Sequence, residues 1–293
     1  MKRITSIILI LLTAFVALQC THADTDKKTI SVTIPPLKGI VNQIVGGDYK
    51  VNVLLPSGTS PETYSPTISQ LTAVSNSDFV FTIGTLNFEQ TLANSLKDNA
   101  KGQIISTSEG VSLIEGTCSH AHHHDLEEHH NHHHSIDPHV WMSHKGLLKI
   151  IDNIADALVI NNPDSISYIA NAERVKNQLT AQKSKAEAVF NNAPKSFLIY
   201  HPALGYFAEE YGLEQISLEN EGKNPTPKSL AEIVEKVDDD NLTVLLYQQE
   251  YPEDVVKPVA DILGVNLFQI NPLSEDIVAE LDRVINILSA RNE

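Results

Sequence analysis

The sequence predicts an α/β protein of two lobes, each with a mostly parallel sheet flanked by helices, joined by one long rigid helix. Three observations carry that prediction. Short runs rich in β-branched and aromatic residues alternate with helix-like segments, the pattern of strand–helix–strand crossovers. The alternation falls into two blocks, residues 29–160 and 193–293. Between them, residues 163–192 contain no glycine and no proline beyond Pro163.

In the first block, Ile30–Ile34 reads as a strand, and Pro36 opens a helix that ends near Gly46 and Gly47. Lys50–Leu55 is the next strand, followed by a Pro/Gly/Ser loop from Pro56 to Pro66. A helix from about Thr67 to Ser75 leads into strand Asp78–Ile83; Asn87–Leu96 is helical and Gln103–Ser106 extended. In the second block the strands are Ser196–Tyr200, Glu214–Leu218, Thr243–Tyr247 and Val265–Ile270. The helices there are Leu204–Tyr211, Pro227–Asp238, Pro252–Leu263 and a last one from Ser274. Each half thus has its own sheet, without a repeat at fixed spacing.

The linking stretch 163–192 starts well for a helix, with Pro163 suited to the first turn and Asn162 placed to cap it. Ile166, Ile169, Ala170, Val175, Leu179, Ala186, Val189 and Phe190 recur at helical spacing. A continuous helix of about 28 residues is about 42 Å long, enough to run the height of two lobes.

Residues 1–23 read as a signal peptide rather than part of the fold. Lys2 and Arg3 precede an apolar run from Ile4 through Leu18, too short to cross a bilayer comfortably. Ala17-Leu18-Gln19-Cys20 resembles a lipobox with Cys20 as the lipidated residue; the alternative is cleavage after Ala23. Both exits place the mature chain outside the cytoplasm, either periplasmic or anchored by lipid on the outer side of the inner membrane. Cys118 is the other cysteine, so no disulfide framework is expected. The net charge of −16 repels phosphate backbones and argues against nucleic-acid binding.

Within segment 117–135 stand His120, His122, His123, His124, His129, His130, His132, His133 and His134, interleaved with acids. No core could satisfy so many imidazoles, so this is a solvated loop, and neutral imidazole is a common transition-metal ligand. A flexible loop loses entropy on binding, so its affinity is modest and a tight site must lie elsewhere.

Three loops then carry a resemblance. Residues 55–67, LPSGTSPETYSPT, resemble the first metal loop of the metal-binding receptors of zinc and manganese ABC importers. Asp137-Pro138-His139-Val140-Trp141, directly after the histidine-rich loop, is similar to their second, and Tyr200-His201 through Tyr206-Phe207 to their third. The resemblance covers residues 29–290 and implies that His139 and His201 bind one metal ion between the lobes. Where the family pattern has Pro-His-x-Tyr, this chain has Pro61-Glu62-Thr63-Tyr64, so Glu62 is the expected carboxylate ligand. Where the family often has aspartate before Pro-Leu, Asn271 stands, and the fourth position is open between Asn271, Glu250 and water.

Two imidazoles and one carboxylate make a borderline site, read as one for Zn²⁺; Glu62 also leaves room for Mn²⁺ or iron. The implied function is capture of a divalent ion, as a monomer, and delivery to an ABC permease driven by its ATPase. Receptors of this kind have also been labelled adhesins. A zinc hydrolase is the competing class, but the chain has neither HExxH nor GxSxG, so no enzyme activity is expected. Binding is expected to weaken as pH falls through the imidazole range.

Overall fold

The first half of the chain builds one four-stranded parallel sheet from β1 (Thr29–Val32), β2 (Lys50–Val53), β3 (Phe79–Thr82) and β4 (Gln103–Ser106), in the order β2-β1-β3-β4. The second half repeats that arrangement with β5 (Ser196–Ile199), β6 (Glu214–Ser217), β7 (Val244–Gln248) and β8 (Asn266–Ile270), in the order β6-β5-β7-β8. The computed structural model describes residues 27–97, 100–116, 136–161, 166–191, 196–219 and 225–290. The expected signal peptide with Cys20, the histidine-rich run from His120 to His134, Cys118 and Pro163 lie outside the described residues.

Parallel strands are covered on both faces, so inner strands read as continuous apolar runs. β3, β5 and β7 are buried at every residue, whereas the edge strands β2 and β8 are partly exposed. The helices begin and end on local signals. α1 (Pro35–Val45) has proline in its first turn and stops at Gly46, whose φ of 61° lets its N–H return to the Asn42 carbonyl. α2 (Ile68–Ser75) starts from a capping box between Thr67 and Gln70, and α3 (Asn87–Leu96) has the buried Glu89 in its first turn.

Two helices cross between the sheets. α4 (His144–Asn161) follows a single 3-10 turn, Val140–Met142, and packs along α5 (Ile166–Phe190). The sequence reading left α4 out. α5 runs unbroken over 25 residues, about 37 Å. At its start Tyr168 and Asn171 donate to Asp48 and to the Ile44 carbonyl; towards its end Gln182 donates to the Val278 carbonyl and Lys185 pairs with Asp282. One rod therefore touches both halves. Its inner face differs in detail from the predicted one: Tyr168 and Ala172 join Val175, Leu179, Ala186 and Phe190 inside, while Ile166 and Ile169 are exposed.

The remaining helices are α6 (Gly205–Tyr211), α7 (Pro227–Asp240), α8 (Glu253–Leu263) and α9 (Ile277–Ser289). α7 is capped by the Thr226 hydroxyl on Ser229 N, and α9 by Asp276 on Ala279 N. The halves also meet directly. Gly39 of α1 lies so close to the chain before α9 that a Cβ there would sit 1.7 Å from the Glu275 carbonyl oxygen, and Lys38 pairs with the Glu275 carboxylate at 2.6 Å. The fully buried Trp141 donates its indole N–H to the Pro272 carbonyl at 2.8 Å. Among the described residues no helix is long and apolar enough to cross a membrane.

Candidate metal centre

In open α/β sheets, loops at the C-terminal ends of neighbouring strands diverge where the strand order reverses, and ligand sites gather there. In the second sheet that place lies between β5 and β7. His201 stands two residues past β5, and Glu250 and Tyr251 stand just past β7. The buried Gln248 binds the His201 backbone on both sides, accepting from its N–H at 3.2 Å and donating to its carbonyl at 2.6 Å.

The first half supplies the other two groups. Glu62 sits in the loop after β2, which is anchored by Tyr64: its hydroxyl donates to the Leu54 carbonyl at 3.0 Å and its ring meets Phe88 edge-on at 5.1 Å. The Gln70 side chain donates to the same carbonyl. His139 precedes the 3-10 turn and is buried. Asp137 Oδ1 accepts from both the His139 backbone N–H and Nδ1, each at 2.8 Å. Because a carboxylate only accepts, Nδ1 carries the proton and the Nε2 lone pair is left for another partner. Asp137 is held in turn by Tyr206, whose hydroxyl donates to its carbonyl, and it fits because residue 205 is glycine: a Cβ there would lie 2.3 Å from Oδ2.

These elements bring Glu62, His139 and His201 together, with one ligand atom of each within 4.8 Å of the others. The imidazole centroids are 5.2 Å apart. Donors in a tetrahedron around zinc at about 2.0–2.2 Å are about 3.4 Å apart, so shifts of about an ångström close the set. The cleft around them, open to solvent, is also lined by Ser60, Trp141, Glu250 and Leu273.

Charge is concentrated here. Burial alone would lower the pKa of His201, but Glu219 and Glu62, whose oxygens lie 3.1 Å from Nδ1 and Nε2 respectively, outweigh it and raise the value to about 9. Burial pushes the Glu62 carboxyl up, yet the bond and charge of His201, with His139 behind, carry it below its ordinary value. Burial raises Glu250, and the two imidazoles offset this only in part.

Of the two candidates for a fourth position, Glu250 lines the cleft and Asn271 does not. The Asn271 amide oxygen accepts from Leu273 N at 3.0 Å in a local turn, and its backbone N–H goes to Glu280, so an ion would compete with that turn for the oxygen. The sequence reading also missed Glu219, a buried carboxylate behind His201, and Gln248, which frames it.

Two parallel-sheet lobes fixed on one long helix, with two imidazoles and a carboxylate from both lobes converging in the cleft, define an α/β protein of the helical-backbone type. The chain belongs to the ZnuA family, the zinc-uptake complex component A, periplasmic, whose model matches residues 30–286. It is similar to the zinc-binding lipoprotein AdcA of Streptococcus pneumoniae, 27% identical over 93% of this chain and 56% of that protein. The chain thus spans about half the length of that relative. It is also similar to the high-affinity zinc uptake system protein ZnuA of Bacillus subtilis, 27% identical over 85% of this chain and 79% of that one. Among solved structures, a crystal structure of ZnuA superposes with a TM-score of 0.80 at 27% identity, covering 92% of this chain and all of that one. A zinc-bound ZnuA deletion mutant gives 0.77 at 28% identity, covering 90% of this chain and 97% of that one. The manganese complex of FpvC from Pseudomonas aeruginosa, at 0.73 and 23% identity with 91% of this chain and all of that one covered, shares the fold.

Proposed function

We propose that the protein captures one Zn²⁺ ion outside the cytoplasmic membrane and delivers it to an ABC permease powered by its ATPase. One observation carries this reading: Glu62, His139 and His201, from loops of both halves, offer three ligand atoms within 4.8 Å of one another. Two neutral imidazoles and one carboxylate suit zinc, with Glu250 or water completing four ligands. The zinc-bound ZnuA mutant and the relatives' names as zinc-uptake proteins support the choice of metal. Glu62 supplies a hard oxygen that favours Mn²⁺ as the second candidate cargo. No bond of a substrate is made or broken in this function.

In the same reading residues 29–160 and 193–293 are the two lobes, 163–192 the linking helix, and the chain acts as a monomer exported by residues 1–23, with Cys20 as a lipid anchor. The histidine-rich segment 117–135 gathers metal at lower affinity.

The test is calorimetric titration of chelator-stripped protein with Zn²⁺ and Mn²⁺. His139→Ala and His201→Ala should each abolish the tightest zinc event and leave the weaker ones. Deleting residues 119–135 should lower the stoichiometry and spare the tightest event. If both histidine variants keep wild-type affinity, the ion is bound elsewhere and the proposal fails.

A further inference from the structure

We propose that Glu219 is a positioning residue for the metal ligand His201 and that Tyr251 holds Glu219 in place. The inference rests on the receptor reading above, and it adds two residues that act through His201 rather than on the ion.

Glu219 is 3% exposed, and among the described residues its side chain forms no ion pair with a lysine or arginine. A buried carboxylate is costly unless its oxygens are satisfied. Here Oε2 accepts from His201 Nδ1 at 3.1 Å and from the Tyr251 hydroxyl at 2.5 Å. The backbone beneath is fixed by the sheet: Leu218 N donates to Ile199 O at 2.9 Å and Glu219 N to Tyr200 O at 2.8 Å, extending the β5–β6 pairing by two residues. Glu219 therefore emerges alongside His201 with little freedom. Tyr251 lies against the other side of the assembly, its ring 26° from parallel with the His201 ring at 6.0 Å.

The consequence for His201 is directional. A carboxylate on Nδ1 holds a proton there, so Nε2, which faces Glu62 Oε1 at 3.1 Å across the cleft, is the nitrogen whose lone pair a cation can take once its own proton leaves. It also fixes the ring plane and makes Nε2 a stronger donor to a cation. Asp137 does the same for His139 from two residues upstream. Both imidazoles thus have an anionic partner behind them, one supplied locally and one across the β5–β6 register. Glu219 itself is not among the ligand atoms that converge in the cleft.

The experiment compares wild type, Glu219→Gln, Tyr251→Phe and His201→Ala in the full mature chain. Zinc affinity is read by competition with a chromophoric chelator, and melting is followed without metal. Long-range ¹⁵N–¹H spectra of the zinc-loaded protein report the hydrogen-bonded Nδ1–H of His201. Measured above pH 9, where His201 has lost its competing proton, Glu219→Gln should weaken zinc binding by about 10- to 100-fold and move the Nδ1–H signal upfield, with any fall in metal-free melting temperature too small to account for the loss. Tyr251→Phe should act in the same direction with a smaller loss. The proposal is overturned if Glu219→Gln binds zinc like wild type while His201→Ala does not. It is equally overturned if affinity falls only in step with melting temperature and the Nδ1–H signal stays in place. Unchanged binding by His201→Ala would instead overturn the receptor reading beneath it.

Discussion

Raising the pH from 7 to 9 should strengthen zinc binding at the cleft by about fiftyfold. In the metal-free protein His201 keeps its proton up to about pH 9, because the Glu62 and Glu219 carboxylates at 3.1 Å more than offset the cost of burying the charge. An ion that takes Nε2 must expel that proton. Apparent affinity then gains about a factor of ten for each pH unit below 9 and levels off above it. The window lies well above the ordinary imidazole range that the sequence alone suggested. Calorimetry in two buffers of different ionisation enthalpy counts the protons: about one should leave per tightly bound zinc at pH 7, fewer at pH 9 and almost none at pH 10. Glu62→Gln removes one of the two flanking carboxylates and should move the midpoint of proton release downward. The linked effect on folding has the opposite slope. A histidine whose pKa is raised on folding stabilises the chain below its unfolded value of 6.5 and loses that contribution as pH rises through about 9. That difference corresponds to at most about 3 kcal/mol, shared with the lowered Glu62 rather than added to it. The metal-free protein should accordingly melt lower at pH 9.5 than at pH 6. Zinc affinity that stays flat from pH 7 to 9, with no proton released, would refute this reasoning.

Three other outcomes follow from the packing. Gly39→Ala places a methyl 1.7 Å from the Glu275 carbonyl oxygen and should destabilise the protein by roughly 1–3 kcal/mol in chemical unfolding, because backbone must move. Glu89→Leu leaves the N–H groups of Ile83, Gly84 and Leu86 and the Thr33 hydroxyl without their acceptor; a loss of at least about 3 kcal/mol is expected, measured by urea denaturation. Asn271→Ala should leave zinc affinity within about threefold by chelator competition and cost about 1 kcal/mol of stability, since its amide oxygen serves only Leu273 N.

Much of this molecule is legible in its residues because the deciding interactions are local. Short β-rich runs announced the strands, and Thr67, Pro227 and Gly46 marked helix ends, where the structure adds the caps of Thr67 with Gln70 and of Thr226. Glu62, His139 and His201 were named in advance because the loops that carry them resemble the three metal loops of the family. What escaped was set by distance. α4 begins directly after the 3-10 turn, and its Gly146 weakens a helical reading; that glycine is there because a Cβ would strike the Val140 carbonyl at 2.0 Å. Glu219 meets His201 only through the pairing of β5 with β6, which no spacing of 18 residues reveals. The turn at Asn271 was hidden in the same way: the family resemblance before Pro-Leu offered it as a ligand, and only the structure shows its oxygen accepting from Leu273 N.

Two clamps hold the halves together, Gly39 against Glu275 and, in the cleft wall itself, Trp141 on Pro272, and they bear on how a loaded chain would differ from an empty one under the proposed function. Halves riveted at those points leave little scope for a change of outline on loading. Under the proposed function the sign of occupancy would be confined to Ser60 and Glu62 at the mouth of the cleft, a patch only a few side chains wide. A permease reading so small a signal would have to touch it directly, and an exposed glutamate with a lowered pKa would offer it a charge that cargo silences.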